Sequence, residues 1–224
     1  KNNMALKFTG LKQIDGSISH KKEEKRWTEL IDAVMEGKVI PVIGADFLID
    51  NNEDNVGNLH QQIVDALASA YDVKSRPESF SQLAYDKDFL YGTNYEAEAI
   101  YEKIDELLNQ VVDEGQLSPN KLMMRLLKLR KFPFVITTSF TPVVEMAMRE
   151  AWPDKKVRVL QFCNDPNFNR TVGKGDIESE LDMNLPTVYY MFGKYSDNKS
   201  YVVTDMDMMN FCKKWISGGS NVPR

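Results

Sequence analysis

Cysteine and histidine are scarce in this chain, with two of each in 224 residues. Cys163 and Cys212 cannot build a four-cysteine zinc site, so no zinc is expected. Nor can they frame a disulfide scaffold, which makes a reducing, cytoplasmic compartment the default. An excess of positive charge is also missing. A net charge of −5 argues against a non-specific nucleic-acid binder, which is usually basic. No apolar run approaches the length of a membrane span, and no internal repeat or low-complexity tract is present. What remains is ordinary for a globular domain: 42% hydrophobic and 27% charged residues, in a chain long enough to bury a sizeable core.

The most informative stretch is FPFVITTSFTPVVEMAM, Phe132 to Met148. Phe134 to Ile136 is a short apolar run with β-branched residues, which suits a strand buried on both faces of a parallel sheet. Thr137, Thr138, Ser139 and Thr141 then place four hydroxyls at its end. From Pro142 the apolar residues recur with helical spacing, with Thr141 as the expected N-cap and Pro142 as the first helical residue. A strand that ends in polar side chains and opens a helix is where open α/β sheets place ligands.

Around that stretch the pattern alternates strands and helices. Residues 1–26 are polar and read as a loosely held arm or the solvated start of a helix; 27–224 read as one α/β domain. Trp27, Leu30, Ile31, Val34 and Met35 form one helical face, stopped by Gly37. Strands are expected at Val39–Ile43, Phe134–Thr138, Val157–Phe162 and Thr187–Met191, with a short fifth at Tyr201–Thr204. Pro41 lacks an amide donor, which places it at an unpaired position or near an edge. Between the first two strands, residues 56–130 carry several amphipathic helices, a longer excursion than a simple crossover and therefore a helical insertion. Ser118-Pro119 is the expected cap of the helix Asn120–Arg130, with Leu122, Met123, Leu126 and Leu127 inward and a basic face outward that reads as solvated. A last helix spans Met206–Ile216.

Two features of chemistry stand out. Gly44-Ala45 after the first strand resembles the start of a nucleotide-binding turn, but the further glycines that let a diphosphate approach are missing. The loop instead carries Asp46, Asp50, Glu53 and Asp54, and a carboxylate at that turn repels a phosphate. The spacing matches no oxygen-ligand motif, so a solvated acidic loop is preferred to a metal site. His60 lies beside the apolar face of its helix and reads as a surface histidine rather than a catalytic one.

Four pieces taken together resemble the sirtuin-like superfamily, in particular its bacterial NAD-hydrolysing branch: Val42–Leu48, Ile136–Glu145, Thr187–Gly193 and Val202–Phe211. In that family the first reads Gly-Ala-Gly-x-Ser after a strand, and the second Thr-Thr-Asn-x-Asp followed by a glutamate. The third ends in His-Gly, and the fourth often carries a tyrosine before a final aromatic. Gly44, Ala45, Thr137, Thr138, Glu145, Gly193 and Phe211 match. The departures fall at the chemistry. Asp46 stands for the second glycine, Leu48 for the serine, Ser139 for the asparagine, Thr141 for the aspartate, Phe192 for the histidine and Met208 for the tyrosine.

The resemblance implies a sirtuin-like, Rossmann-type three-layer α/β fold with a parallel sheet, here a fragment of a longer protein. It implies NAD or a related nucleotide as ligand, held at Gly44, Ala45, Asp46, Thr137, Thr138, Ser139 and Gly193. The asparagine and histidine are the family residues tied to cleaving the nicotinamide–ribose bond, and a phenylalanine at 192 takes no proton. The expectation is a degenerate domain with a nucleotide-sensing, regulatory or assembly role. Relatives fuse such a domain to an effector such as a TIR domain in anti-phage defence, and a homo-oligomer is a further possibility of the family. The rival is an NAD glycohydrolase working through Ser139, Glu145, His60 and Asp46, and a third reading is a structural oligomerisation domain.

Overall fold

The computed structural model describes residues 16–48, 59–115, 117–162, 185–195 and 201–216, with backbone alone at 16–22, 46 and 48. The chain divides into two compact units, Lys1–Val39 and Ile40–Arg224. The first contributes α1 (Gly16–Met35), which runs unbroken through the boundary expected at residue 26. Along α1 the side chains of Trp27, Leu30, Ile31 and Met35 are exposed. Gly37, with φ of 70°, follows the helix in the left-handed conformation that glycine adopts without a Cβ penalty.

The second unit is an α/β assembly. Its strands are β1 (Val42–Ile43), β2 (Phe134–Thr137), β3 (Arg158–Gln161) and β4 (Thr187–Tyr190). They form one sheet in the order β1-β2-β4-β3, and every pairing is parallel. All four lie within the spans that the apolar runs mark. β2 is interior, paired with β1 on one side and β4 on the other. Its Phe134, Val135 and Thr137 are fully buried, and burying the two apolar side chains contributes roughly 1.5–3 kcal/mol each. Pro41 precedes β1, which is an edge strand among the described residues, and its carbonyl accepts from the Ile136 amide at 2.9 Å. That geometry uses the one backbone group proline retains.

Helices α2 (Leu59–Ala70), α3 (Phe80–Ala84), α4 (Lys87–Gly92) and α5 (Ala99–Asp113) follow β1. Ile63, Val64, Leu67, Leu83, Phe89, Ile100, Ile104 and Leu108 pack together as their own core, joined by Phe140 and Tyr201. The helical insertion is therefore a layer with its own apolar interior. α6 (Lys121–Lys128) packs instead on α7 (Val143–Ala151), and α8 (Asp205–Ile216) closes the described chain.

Three local expectations are corrected. The Asn120 side chain, not Ser118-Pro119, caps α6 by accepting from the Met123 amide at 2.7 Å. Met124 is buried on α6 while Leu122 is exposed. No fifth strand forms at Tyr201–Thr204. There the Val203 and Thr204 amides donate to the Asp207 carboxylate at 3.1 and 2.7 Å. The Asp207 amide points back to the Thr204 hydroxyl. This reciprocal cap starts α8 and withdraws those donors from any ladder. The polar loop 164–176 lies outside the described residues.

Two glycines at the sheet's carboxyl end behave differently. Gly193 has φ of 85°, and a Cβ there would lie 2.7 Å from Tyr201 Cα and 3.2 Å from the Phe162 carbonyl. Gly44 is free of both constraints, since an added Cβ meets only Thr138 Oγ1, at 3.5 Å. Gly193→Ala is expected to lower stability by about 1–3 kcal/mol, and Gly44→Ala by less than about 1 kcal/mol. Urea unfolding of the two variants beside the parent checks the contrast; equal losses would contradict it.

Candidate functional site

Parallel strands bring their carboxyl ends to one side of the sheet, and side chains just beyond those ends converge there. The Thr137 hydroxyl donates to the Ile43 carbonyl at 3.2 Å, tying the end of β2 to the end of β1. The Ser139 amide donates to Thr137 Oγ1 at 3.1 Å, which turns the chain out of the strand. The Met191 amide donates to the Thr137 carbonyl at 2.9 Å, and the Tyr195 amide to the Phe140 carbonyl at 3.1 Å. The segment after β4 thus runs alongside the segment after β2.

Ser139 is the centre of this arrangement. Its Oγ accepts from the Thr141 amide at 3.2 Å, lies 2.8 Å from Thr141 Oγ1 and lies 3.0 Å from His60 Nε2. A serine hydroxyl has one proton and two lone pairs. One lone pair takes the Thr141 amide, and the other lone pair and the proton serve His60 and the Thr141 hydroxyl. The hydroxyl's capacity is filled, and Ser139 and Thr141 have no exposed surface. Thr141 is therefore not the side-chain cap expected for α7. Pro142 occupies the N-cap position, and no side-chain cap bond is made there.

His60 is the main correction to the sequence reading. It is half-buried, not a surface histidine. Its ring stacks on Phe140, with centroids 4.6 Å apart and planes 16° from parallel, and meets Phe80 edge-on at 5.6 Å. A signal was present: His60 precedes Ile63, Val64 and Leu67 by three, four and seven residues. It therefore lies within the buried face of α2 rather than beside it.

The other expected site residues are distributed around this centre. Gly44 and Ala45 lie at the end of β1, where Ala45–Leu48 forms one turn of 3-10 helix. The Asn120 side chain donates to the Phe47 carbonyl, pinning that turn to the start of α6. The side chains of Asp46 and Leu48, and all of Asp50, Glu53 and Asp54, lie outside the described residues. Thr138 is half-buried, and its amide donates to the Ile43 carbonyl at 3.0 Å. Phe192 packs edge-on against Phe211 at 5.0 Å, and Phe162 meets the same ring at 4.8 Å. Among the described residues no group of three or more His, Cys, Asp or Glu side chains is placed to hold a metal ion.

Glu145 does not join Ser139. Its carboxylate takes Lys194 Nζ at 2.6 Å and Arg149 Nη2 at 2.8 Å. Burial pushes its pKa up, but the Lys194 ammonium and Arg149 guanidinium outweigh it and hold the carboxyl below the ordinary glutamate value. Beside it, Tyr190 is fully buried, and its hydroxyl has no hydrogen-bond partner among the described residues. Burial and the Glu145 charge push that phenol well above its usual range. Sequence reading attached Glu145 to a motif, but its partner Lys194, 49 positions away, was not foreseen.

No protein-family model matches the sequence, and no curated protein is significantly similar to it.

Because folding lowers the Glu145 pKa, its contribution to stability is complete above the unfolded glutamate value of about 4.3. It is lost as pH falls through the lower folded value. Glu145→Gln should cost about 1–3 kcal/mol at pH 7 and flatten the acid limb of the stability–pH curve below about pH 4.5. Thermal unfolding from pH 7 to pH 3 reads both effects, and an unchanged acid limb would exclude this role.

Proposed function

We propose that this chain is a sirtuin-like α/β domain without NAD-cleaving chemistry, serving as a nucleotide-sensing, regulatory or assembly module of a larger bacterial protein. The proteins it resembles join such a domain to an effector such as a TIR domain in anti-phage defence. The four-stranded parallel sheet with hydroxyl groups at its carboxyl end supports the fold reading.

One observation carries the functional reading. Ser139, at the position of the family's asparagine, is fully buried with its hydroxyl bonded on all sides. It presents no donor or acceptor to a ribose. Phe192, at the histidine position, packs against Phe211 and offers no base. Loss of a general base costs about 10²–10⁴-fold in rate.

A second reading has one observation in its favour. The 3.0 Å from His60 Nε2 to Ser139 Oγ is the separation of a hydroxyl and the base that activates it. An NAD glycohydrolase built on that pair needs Ser139 uncovered, which requires Thr141 and Phe140 to move. Incubation with NAD and measurement of released nicotinamide separates the two. No turnover above the uncatalysed rate is expected. Turnover that is lost in a Ser139→Ala or His60→Ala variant with the parent's unfolding midpoint would establish the hydrolase and overturn the non-catalytic reading.

The turn after β1 gives a second test. A carboxylate at 46 opposes a diphosphate arriving at Gly44. Asp46→Gly is expected to tighten NAD binding, measured by calorimetry, without starting nicotinamide release, because Phe192 still supplies no base. Tight binding by the parent chain would show that the Asp46 carboxylate turns away from the phosphates.

A further inference from the structure

The charge of the α/β unit is sorted along the direction of the strands. Residues 59–115 hold twelve acidic and four basic side chains, a net of −8, whereas residues 121–158 hold nine basic and three acidic, a net of +6. The acidic set belongs to the helical layer α2–α5. That layer lies at the carboxyl end of the sheet, because His60 on α2 bonds Ser139, two residues past the end of β2, and Phe140 joins its core. Much of the basic set lies at the opposite end. Arg130 and Lys131 lead into β2, and Lys155, Lys156 and Arg158 lead into and open β3.

Both sets form exposed stripes. On α5, Glu102, Glu106 and Asp113, with Glu98 at the N-cap, are exposed on the side away from the buried Ile100, Ile104 and Leu108. The stripe runs for about 22 Å at the helical rise of about 1.5 Å per residue. α6 starts beside Phe47 at the carboxyl end of β1 and leads toward the start of β2, and Arg125 and Lys128 in its last turn are exposed. The basic surface continues onto the α7–β3 connection, because Arg130 pairs with Asp154 and stacks over Trp152 at 4.7 Å. Local pairs such as Lys128–Glu150 use part of the charge and leave the imbalance of each end in place.

We propose that copies of this chain associate head to tail, the acidic α5 face of one on the basic α6 end of the next. A surface with one sign at each end can meet itself head to tail, and such heterologous contacts close into rings or propagate as filaments, whereas an antiparallel side-by-side pair stops at a dimer. The net charge of −5 and the acidic layer disfavour a nucleic acid as the occupant of the basic end, since a polyanion is repelled by the rest of the molecule. Among the described residues the α6 end also presents no exposed aromatic ring on which a base stacks: Trp152 and Phe132 are buried. This inference gives the assembly part of the proposed function a geometry. It does not depend on whether the Ser139 end binds NAD, so the nicotinamide assay and the experiment below fail independently.

The test is sedimentation velocity of the chain at about 100 μM between 20 mM and 500 mM salt, over which range the screening length falls from about 20 Å to about 4 Å. Species larger than a dimer are expected at low salt, returning to the single chain at high salt. Two triple variants neutralise one end each: Arg125→Gln, Lys128→Gln, Lys156→Gln, and Glu98→Gln, Glu102→Gln, Asp113→Asn. All six side chains are exposed, so folding should be preserved. Each variant alone is expected to sediment as a single chain at low salt, and their mixture as a one-to-one dimer that grows no further. A parent chain that stays single at 20 mM salt overturns the proposal. So does assembly that survives in either variant, or retention of a 20-base-pair duplex by the parent that is lost in the basic-end variant.

Discussion

The Ser139 hydroxyl is the bond on which the described architecture turns. Three parts of the chain meet there: the exit of β2, the entry to α7 through Thr141, and the helical layer through His60. Each partner is local or stiff. Thr141 is two residues away, and the His60 ring is clamped between Phe80 and Phe140. A buried hydroxyl with every hydrogen bond made stabilises only modestly. The same hydroxyl with a partner removed leaves a buried polar group unsatisfied, at a cost of about 1–3 kcal/mol. The node therefore specifies how the layer docks on the sheet more than it contributes energy, and the aromatic contacts around it supply the apolar burial.

That specification constrains chemistry. A group that holds two layers in register is poorly suited to reorganise around a substrate, because each rearrangement uncovers a buried polar atom. The same division of labour recurs at the other positions of the expected site. Phe192 is engaged with Phe211, Gly193 is crowded by Tyr201, and Glu145 is held by Lys194 and Arg149. Around the carboxyl end of β2, Ser139, Phe192 and Glu145 are each engaged by neighbouring side chains, through hydrogen bonds, ring packing and ion pairs respectively.

The strands were legible because their apolar runs are short, β-branched and flanked by turns, and β2 proved interior as its unbroken apolar character required. Helical periodicity identified α2, α5 and α8. The same periodicity marks His60, whose three-four-seven spacing to Ile63, Val64 and Leu67 on α2 outweighs the usual surface preference of histidine. The hydroxyl cluster was legible only as composition: residues 137, 139 and 141 leave a strand through a turn, and their mutual bonds depend on turn angles that no periodicity encodes. Tyr201–Thr204 read as a strand because two valines follow a tyrosine. The Asp207 carboxylate, three residues beyond Thr204, competes for the same amides and wins because it is covalently close. The Glu145–Lys194 pair links elements 49 residues apart and had no local signature.

The shape of the sheet's first edge bears on how this molecule avoids a common hazard. β1 is two residues long, and the residue before it is Pro41, which has no amide proton to offer. An exposed strand edge templates the addition of a foreign strand and is a starting point for aggregation. An edge two residues long gives such a strand almost no ladder to follow, while the missing donor of Pro41 faces β2, the side on which its carbonyl accepts from Ile136. Among the described residues the backbone on this side therefore offers little to cross-β pairing, and a surface rich in charged helical faces favours contacts that salt can reverse.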